Sequence, residues 1–253
     1  MALVDINIIT RNRPRYLPVL LWSLAKQTFA DFRIVLVNDG DVLDDLSIEL
    51  LSSMNSIVIT NDLQLGIPKS RNVALDVSDA EYIFRVDDDH YVDADCLARL
   101  VESIQSQSDI GAVGCVMPFI TQGPPVVGLP ILKSQLVDLL TLDISKEAEF
   151  DQLRLYLSDR LIPTDCLRGC FIHKNIPSLR YIEDFSMIGH GEETLFSILF
   201  TQLGLSNFIN PRAVAMHLYA PNGGCRSIEN SKAIEMREED SKTLLSILNE
   251  LRS

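Results

Sequence analysis

Long apolar runs are missing from this sequence, and its first residues do not have the pattern of a secretory leader. No apolar stretch approaches the roughly 20 residues that a membrane-spanning helix requires. The first fifteen residues, Met1 to Arg15, lack the charged start, apolar run and small-residue cleavage site of a signal peptide. We therefore expect a cytoplasmic protein and leave attachment to a membrane face open.

Positive charge is also scarce. The chain carries 22 Lys and Arg against 35 Asp and Glu, a formal net charge of −13. Such a chain repels phosphate backbones, so nucleic acid is not expected as a partner. A small phosphorylated ligand remains compatible with this charge, because one local cation or a bound metal can hold it.

Cysteine is sparse, and its odd count of 5 is informative. An odd number in a chain with a large apolar core and no leader indicates reduced thiols. Cys166 and Cys170, with His173 nearby, lack the paired Cys-x-x-Cys spacing of a zinc site, and this segment is typical of a buried strand.

Strand and helix patterns alternate through the first half of the chain. Four short β-branched runs lie at 6–10, 32–37, 56–60 and 82–86, and helical patterns expected to begin at Pro14, at Pro68 and at Asp93 or Asp95 follow the first, third and fourth of them. This order predicts an α/β fold, a Rossmann-like, mostly parallel central sheet flanked by helices on both faces.

The second half is less regular in pattern. It suggests helices at 133–142 and 146–158, strands at 166–173 and 213–219, and a helix that begins near Gly191. A long charged helix over 227–252 ends the chain. Its charge pattern is that of an ordinary solvated surface helix, although a peripheral membrane contact or a protein partner remains an alternative.

Polar clusters follow each of the four predicted strands of the first half. Ligands of such sheets bind at the carboxyl ends of the strands, so the four clusters indicate one polar pocket. The clusters are Thr10 to Arg13, Asn38 to Gly40, Asn61 with Asp62, and Asp87 to Asp89. The first strand–helix junction has neither G-x-G-x-x-G nor G-x-x-x-x-G-K-[ST], which argues against a dinucleotide-type or kinase-type phosphate cradle.

Three adjacent carboxylates, Asp87, Asp88 and Asp89, offer another way to hold phosphate. Like charges this close repel, and a divalent cation removes the repulsion. Hard oxygen ligands suit Mg²⁺ or Mn²⁺, which take a few carboxylates together with substrate phosphates. A solvated acidic turn before a capped helix explains the triplet equally well when it is taken alone.

Five segments, in order and with similar spacing, resemble the GT-A glycosyltransferases, and within them the large group called family 2. The segments are Ile8 to Arg13, Ser23 to Thr28, Val35 to Gly40, Gly66 to Asn72, and Tyr82 to Asp89. Arg11 stands where the group usually has tyrosine, and Asn38 and Asp41 depart from its second-strand motif. These departures make the nucleotide base less predictable than the fold.

The resemblance implies how the chain is divided and which residues bind the donor. It implies a nucleotide-sugar-binding half over 1–110, an acceptor-binding half of the same GT-A domain over 111–220, and a C-terminal helical tail over 221–253. The nucleotide-sugar-binding residues that it implies are Thr10, Arg11, Arg13, Asp39, Lys69, Arg71, Asp87 and Asp88.

The resemblance also implies a metal site and a catalytic base. Asp89 would bind Mn²⁺ or Mg²⁺ directly, with Asp87 and His217 as further ligands. Glu193 occupies the position of the group's catalytic aspartate, with a side chain one methylene longer, and Glu192 and His190 would contact the acceptor. Without the resemblance, the two glutamates would be ordinary acidic residues at a helix N-terminus.

The function implied is a metal-dependent, inverting transfer of a sugar from a nucleotide diphosphate to an acceptor hydroxyl. The donor would be a UDP-sugar, with a GDP-sugar as the second choice, and the acceptor a glycan or another hydroxyl compound. Two alternatives remain open: a sugar-phosphate nucleotidyltransferase, and a non-catalytic nucleotide- or sugar-binding module of the same fold.

Overall fold

The structure, a computed structural model, describes residues 2–117 and 160–252. The two helices predicted at 133–142 and 146–158 lie outside the described residues. The described strands are β1 Val4–Thr10, β2 Phe32–Asn38, β3 Ser56–Thr60, β4 Tyr82–Asp87, β5 His90–Val92, β6 Ile110–Val116, β7 Ile162–Pro163, β8 Phe171–Lys174 and β9 Ser206–His217. The described helices are α1 Leu17–Leu24, α2 Asp45–Ser52, α3 Ile67–Val77, α4 Cys96–Gln105, α5 Glu192–Gln202, α6 Asn230–Arg252 and a short 3-10 helix, Gly224–Ser227.

One sheet organises the described residues, in the order β3-β2-β1-β4-β8-β6-β9-β5, with β7 beside β9. Strands β3, β2, β1 and β4 are parallel, as the alternating pattern predicts. The second half makes the sheet mixed, because β8 runs antiparallel to both β4 and β6, whereas β6 and β9 are parallel. The register pairs Thr10 with Asn38 and Ile9 with Asp87, so the polar strand ends meet at one edge.

Apolar side chains hold helices on both faces of this sheet. On one face, Leu20 and Leu24 of α1 join Leu97 and Leu100 of α4 against Ile8, and all five are fully buried. On the other face, α3 packs on β2, and α3, α5 and β8 share a second apolar cluster. Burial of this kind supplies the main stabilisation of a domain of this size.

Two local expectations are corrected by the structure. Helix α1 begins at Leu17, with Pro18 in its first turn, and not at Pro14. The reason is that Asn12 adopts a left-handed conformation, φ 54°, and Arg13 turns toward the carboxylates at the sheet edge before the helix starts. The strand expected at 166–173 is limited to Phe171–Lys174, since the residues before it form a loop that reaches Ser197 of α5.

All five cysteines are free thiols, and three of them are buried. None of the described helices combines the length and apolar character needed to cross a membrane.

Candidate active site

A cleft of about 260 Å³ opens at the carboxyl ends of β1, β2 and β4. It brings together nearly all the residues that the sequence singled out: Thr10, Arg11, Arg13, Asp39, Arg71, Asp87, Asp88, Asp89, His190, Glu192, Glu193 and His217. Lys69 is the exception, because its side chain is exposed on α3 and does not line the cleft.

The carboxylate of Asp39 organises the loop that leads into α3. It accepts hydrogen bonds from the backbone N–H of Leu65 at 2.7 Å, the backbone N–H of Gly66 at 2.9 Å and the side-chain amide of Asn61 at 2.7 Å. Gly66 has φ +85°, and a Cβ there would lie 2.6 Å from the Cα of Met187. Glycine at this position therefore allows the loop before α3 to touch the loop before α5.

Asp88 is turned toward the β1–α1 loop. Its Oδ1 lies 2.5 Å from Nη1 of Arg13, and its Oδ2 accepts a 2.8 Å hydrogen bond from the hydroxyl of Thr10. The same Nη1 of Arg13 lies 3.1 Å from Oδ2 of Asp89. One guanidinium thus neutralises two of the three adjacent carboxylates.

Asp89 and His217 form the pair best suited to hold a divalent ion. Oδ2 of Asp89 lies 3.3 Å from Nε2 of His217 and 3.5 Å from Nη1 of Arg226, and it accepts a hydrogen bond from the N–H of Ala220. Although burial disfavours the charged carboxylate, the hydrogen bond from His217 and the charge of Arg13 hold the pKa of Asp89 well below its usual range.

The ligand atoms of Asp89 and His217 suit Mn²⁺ or Mg²⁺, but two side chains do not complete the coordination shell of either ion. Carboxylate oxygen and imidazole nitrogen are both ligands of such ions. Within 2–117 and 160–252, no group of three or more His, Cys, Asp or Glu side chains could hold a metal. An ion at Asp89 and His217 would need substrate phosphates and water to complete its shell, as is usual for Mg²⁺.

Two buried arginines connect the remaining carboxylates of the cleft. Arg71 places Nη2 at 2.5 Å from Asp87 and Nε at 3.2 Å from Glu192. Arg85 places Nη2 at 2.6 Å from Glu193 and at 3.3 Å from both Glu192 and Asp87. We refer to these five residues as the arginine network.

Glu192 and Glu193 differ in exposure and in surroundings. The Glu192 side chain is 3% exposed, whereas that of Glu193 is 24% exposed. Burial raises the pKa of Glu192 to about 7, against the lowering effect of Arg71 and Arg85. The carboxylate of Glu193 is held by Arg85 and stays accessible from the cleft.

A second cleft, of about 520 Å³, meets the first at Asp87, Glu193 and His217. Its other described lining comes from the end of β6, the loop 166–169, Ile209 and His90. Glu193 therefore lies where the two clefts join.

Sequence reasoning missed two cationic residues of the site, Arg85 and Arg226. Arg85 carried a signal, because it interrupts an apolar strand and shares a strand face with Asp87 two residues later. Arg226 carried none, since 137 residues separate it from Asp89.

Comparison with known proteins points to one family. The family model described as Glycosyl transferase family 2 matches residues 5–131. The uncharacterized glycosyltransferase EpsJ of Bacillus subtilis is 30% identical over 117 residues, which is 46% of this chain and 34% of EpsJ. A match to an uncharacterized Haemophilus influenzae glycosyltransferase covers 38% of that protein, so the similarity spans only a third to two fifths of these relatives.

Solved structures share the fold at low identity. S. aureus TarS 1-349 in complex with UDP-GlcNAc superposes with a TM-score of 0.60 and 20% identity, over 89% of this chain and 61% of that one. GalNAc-T7 with UDP, GalNAc and Mn²⁺ gives a TM-score of 0.64 and 16% identity, over 87% of this chain and 44% of that one.

Proposed function

The chain belongs to glycosyl transferase family 2, and on that premise we propose that it transfers a sugar from a UDP-sugar to the hydroxyl of an acceptor. The observation that carries the proposal is the position of Glu193. Its accessible carboxylate lies where two clefts join, within 2.6 Å of a buried arginine that orients it. A nucleotide-binding module without catalytic activity has no need of such a group.

The donor is proposed to occupy the first cleft. Arg11, Arg13 and Arg226 line this cleft, and their guanidinium groups would donate hydrogen bonds to a diphosphate. Asp39 would contact the base or ribose. UDP is favoured over GDP, because TarS and GalNAc-T7, whose fold this chain shares, have been crystallised with UDP or a UDP-sugar.

Asp89 and His217 would hold the divalent ion, Mn²⁺ or Mg²⁺, together with the donor's phosphates. Asp87 is a weaker candidate ligand, because its Oδ1 is already paired with Arg71. When bound, such an ion neutralises the charge that develops on a departing diphosphate.

The acceptor is proposed to enter through the second cleft and to meet Glu193. The Glu193 carboxylate takes the proton of the acceptor hydroxyl, and the oxygen attacks the anomeric carbon from the side opposite the diphosphate. The bond to the diphosphate oxygen breaks and the configuration inverts, through a transition state with oxocarbenium character. Arg85 stabilises the Glu193 carboxylate by a hydrogen bond before the proton arrives.

Product analysis tests the proposal against its closest alternative. The protein is incubated with UDP-GlcNAc or UDP-GalNAc and Mn²⁺, and UDP release and the anomeric configuration of the freed or transferred sugar are followed by NMR. We expect UDP and an inverted sugar. Pyrophosphate release from UTP and a sugar 1-phosphate would instead show a nucleotidyltransferase, and UDP binding without turnover would show a binding module.

A further inference from the structure

The C-terminal helix α6 places one fully buried carboxylate against the site. Asp240 is 0% exposed, whereas Glu238 and Glu239 beside it are exposed. A buried charge is costly unless hydrogen bonds compensate it. Among the described residues Asp240 has no Lys or Arg partner, so its hydrogen bonds must compensate for its burial.

Those hydrogen bonds all come from one loop. Asp240 accepts the backbone N–H of Ser186 at 2.6 Å, the hydroxyl of Ser186 at 2.8 Å and the backbone N–H of His190 at 2.7 Å. One turn further along α6, Leu244 packs on Gly191, where a Cβ would lie 3.0 Å from its Cδ2. Helix α6 therefore holds residues 186–191 at both ends, and we call this set of contacts the clasp.

The clasped loop is one that needs external support. Gly189 and Gly191 have φ +58° and +91°, conformations that glycine reaches easily but does not hold by itself. On its other side, the carbonyl of Met187 accepts a 2.9 Å hydrogen bond from the N–H of Ile67 at the start of α3. The loop is thus held between α3 and α6, and it runs directly into the first turn of α5.

That first turn carries Glu192 and Glu193. The N–H of Glu192 donates to the carbonyl of Gly189 at 3.1 Å, so the loop sets where α5 begins. We propose that Asp240 is a positioning residue for Glu193. Through this carboxylate, helix α6 fixes the loop that leads into the first turn of α5. The catalytic half of the inference rests on the proposed function, whereas the clasp itself does not.

Amide hydrogen exchange tests the clasp without any activity. In Asp240→Asn, an NH2 group replaces one acceptor oxygen, so at least one of the backbone N–H groups of Ser186 and His190 should exchange about tenfold faster. The matched control is Glu239→Gln, the same change of acid to amide on the exposed side of α6, which should leave both rates unchanged. Unchanged exchange in Asp240→Asn would overturn the clasp.

Kinetics test the link to Glu193. We expect Asp240→Asn to lower kcat with a UDP-sugar by roughly tenfold to a hundredfold, because a small misplacement of a catalytic group has effects of this size. The fall in kcat should exceed any rise in the Kd of UDP, because the first turn of α5 carries Glu193. Ser186→Ala, which removes only the hydroxyl, should act in the same direction with a smaller loss and serves if Asp240→Asn folds poorly.

A double variant separates positioning from general destabilisation. If Asp240 acts through Glu193, Asp240→Asn should cost little further kcat in a Glu193→Gln background. Equal losses in both backgrounds would overturn the positioning role. Absence of turnover in the wild-type protein with every nucleotide sugar would instead refute the proposed function and the catalytic half together, while the exchange rates would still decide the clasp.

Discussion

Two charged networks lie at opposite ends of the parallel part of the sheet, and they differ in how completely their groups are paired. Toward the amino ends, the buried Asp5 of β1 accepts hydrogen bonds from Nε and Nη2 of Arg33 at 2.8 and 2.7 Å and from the backbone N–H groups of Asp79 and Ala80. No buried side-chain atom of Asp5 or Arg33 lacks a hydrogen-bond partner in the described structure.

The arginine network at the carboxyl ends is different. Nη1 of Arg71, Nε of Arg85 and Oε2 of Glu192 are buried and have no hydrogen-bond partner among the described residues. Unpaired buried polar atoms are costly and uncommon, and they concentrate where a structure serves something other than its own stability. The comparison indicates that Asp5 and Arg33 stabilise the sheet, and we propose that the arginine network serves ligand binding.

The largest effect expected from this contrast is on catalysis. Glu193→Gln keeps the size of the side chain and removes its basicity, so turnover with a UDP-sugar should fall by roughly 10² to 10⁴ while the melting temperature changes little. The control is Glu102→Gln on the exposed side of α4, which should retain full activity. Unchanged transfer by Glu193→Gln would show that another group is the base.

The largest effect on stability is expected at the opposite end. Asp5→Ala leaves Nε of Arg33 and two backbone N–H groups without their acceptor, and the free energy of unfolding should fall by about 3 kcal/mol. Asp79→Ala removes the other, 55% exposed partner of Arg33 and should cost less than about 1 kcal/mol. Denaturant titration measures both, and a larger loss for Asp79→Ala would contradict the contrast.

The pH dependence of stability probes the region between the networks. Burial in β8 lowers the pKa of His173 from 6.5 to about 4. Between pH 6.5 and about pH 4, His173 is protonated in the unfolded chain but neutral in the folded chain. The free energy of unfolding therefore falls as the pH falls. From pH 7 to pH 5 the contribution of His173 is about 2 kcal/mol. His173→Phe should therefore lose less stability over this range than the wild type, and equal slopes would contradict the assignment.

A smaller effect on the free energy of unfolding is expected at the edge of the first cleft. Thr10→Val removes the hydroxyl that donates to the buried Asp88, and we expect a loss of about 1 to 2 kcal/mol in the free energy of unfolding. Thr60→Val, at an exposed position at the end of β3, should change stability by less than about 0.5 kcal/mol. If Thr10→Val left the free energy of unfolding unchanged, Arg13 alone would compensate the buried charge of Asp88.

The sequence allowed the carboxyl-end cluster to be predicted, because strands and their polar ends are local patterns. Asp39, Asp87 and Asp89 follow apolar runs that could form only buried strands, and parallel pairing brings their ends together. Arg85 and Asp240 escaped prediction for the opposite reason. Arg85 interrupts an apolar strand, but no pattern in the sequence links it to Glu193, 108 residues away, or links Asp240 to Ser186, 54 residues away.

The prediction of helices from the sequence failed where tertiary contacts override local propensity. Helix α2 was missed because only two of its eight residues, Ser47 and Leu51, are buried, although Asp44 caps it through the N–H of Ser47. Pro14 was a plausible helix start by propensity, but Arg13 pairs with Asp88 and residues 14–16 form a turn, so the helix begins only at Leu17.

If the first cleft binds a nucleotide diphosphate together with a divalent ion at Asp89, UDP should raise the melting temperature in a way that depends on Mn²⁺. At about 100 times its Kd, UDP with Mn²⁺ should stabilise the fold by about 2.7 kcal/mol, a rise of several degrees. Asp89→Asn should abolish the dependence on Mn²⁺, while the exposed Asp62→Asn should retain it. The same shift with and without Mn²⁺ would contradict the metal site, and no shift with UDP, GDP, CDP or dTDP would contradict nucleotide-sugar binding itself.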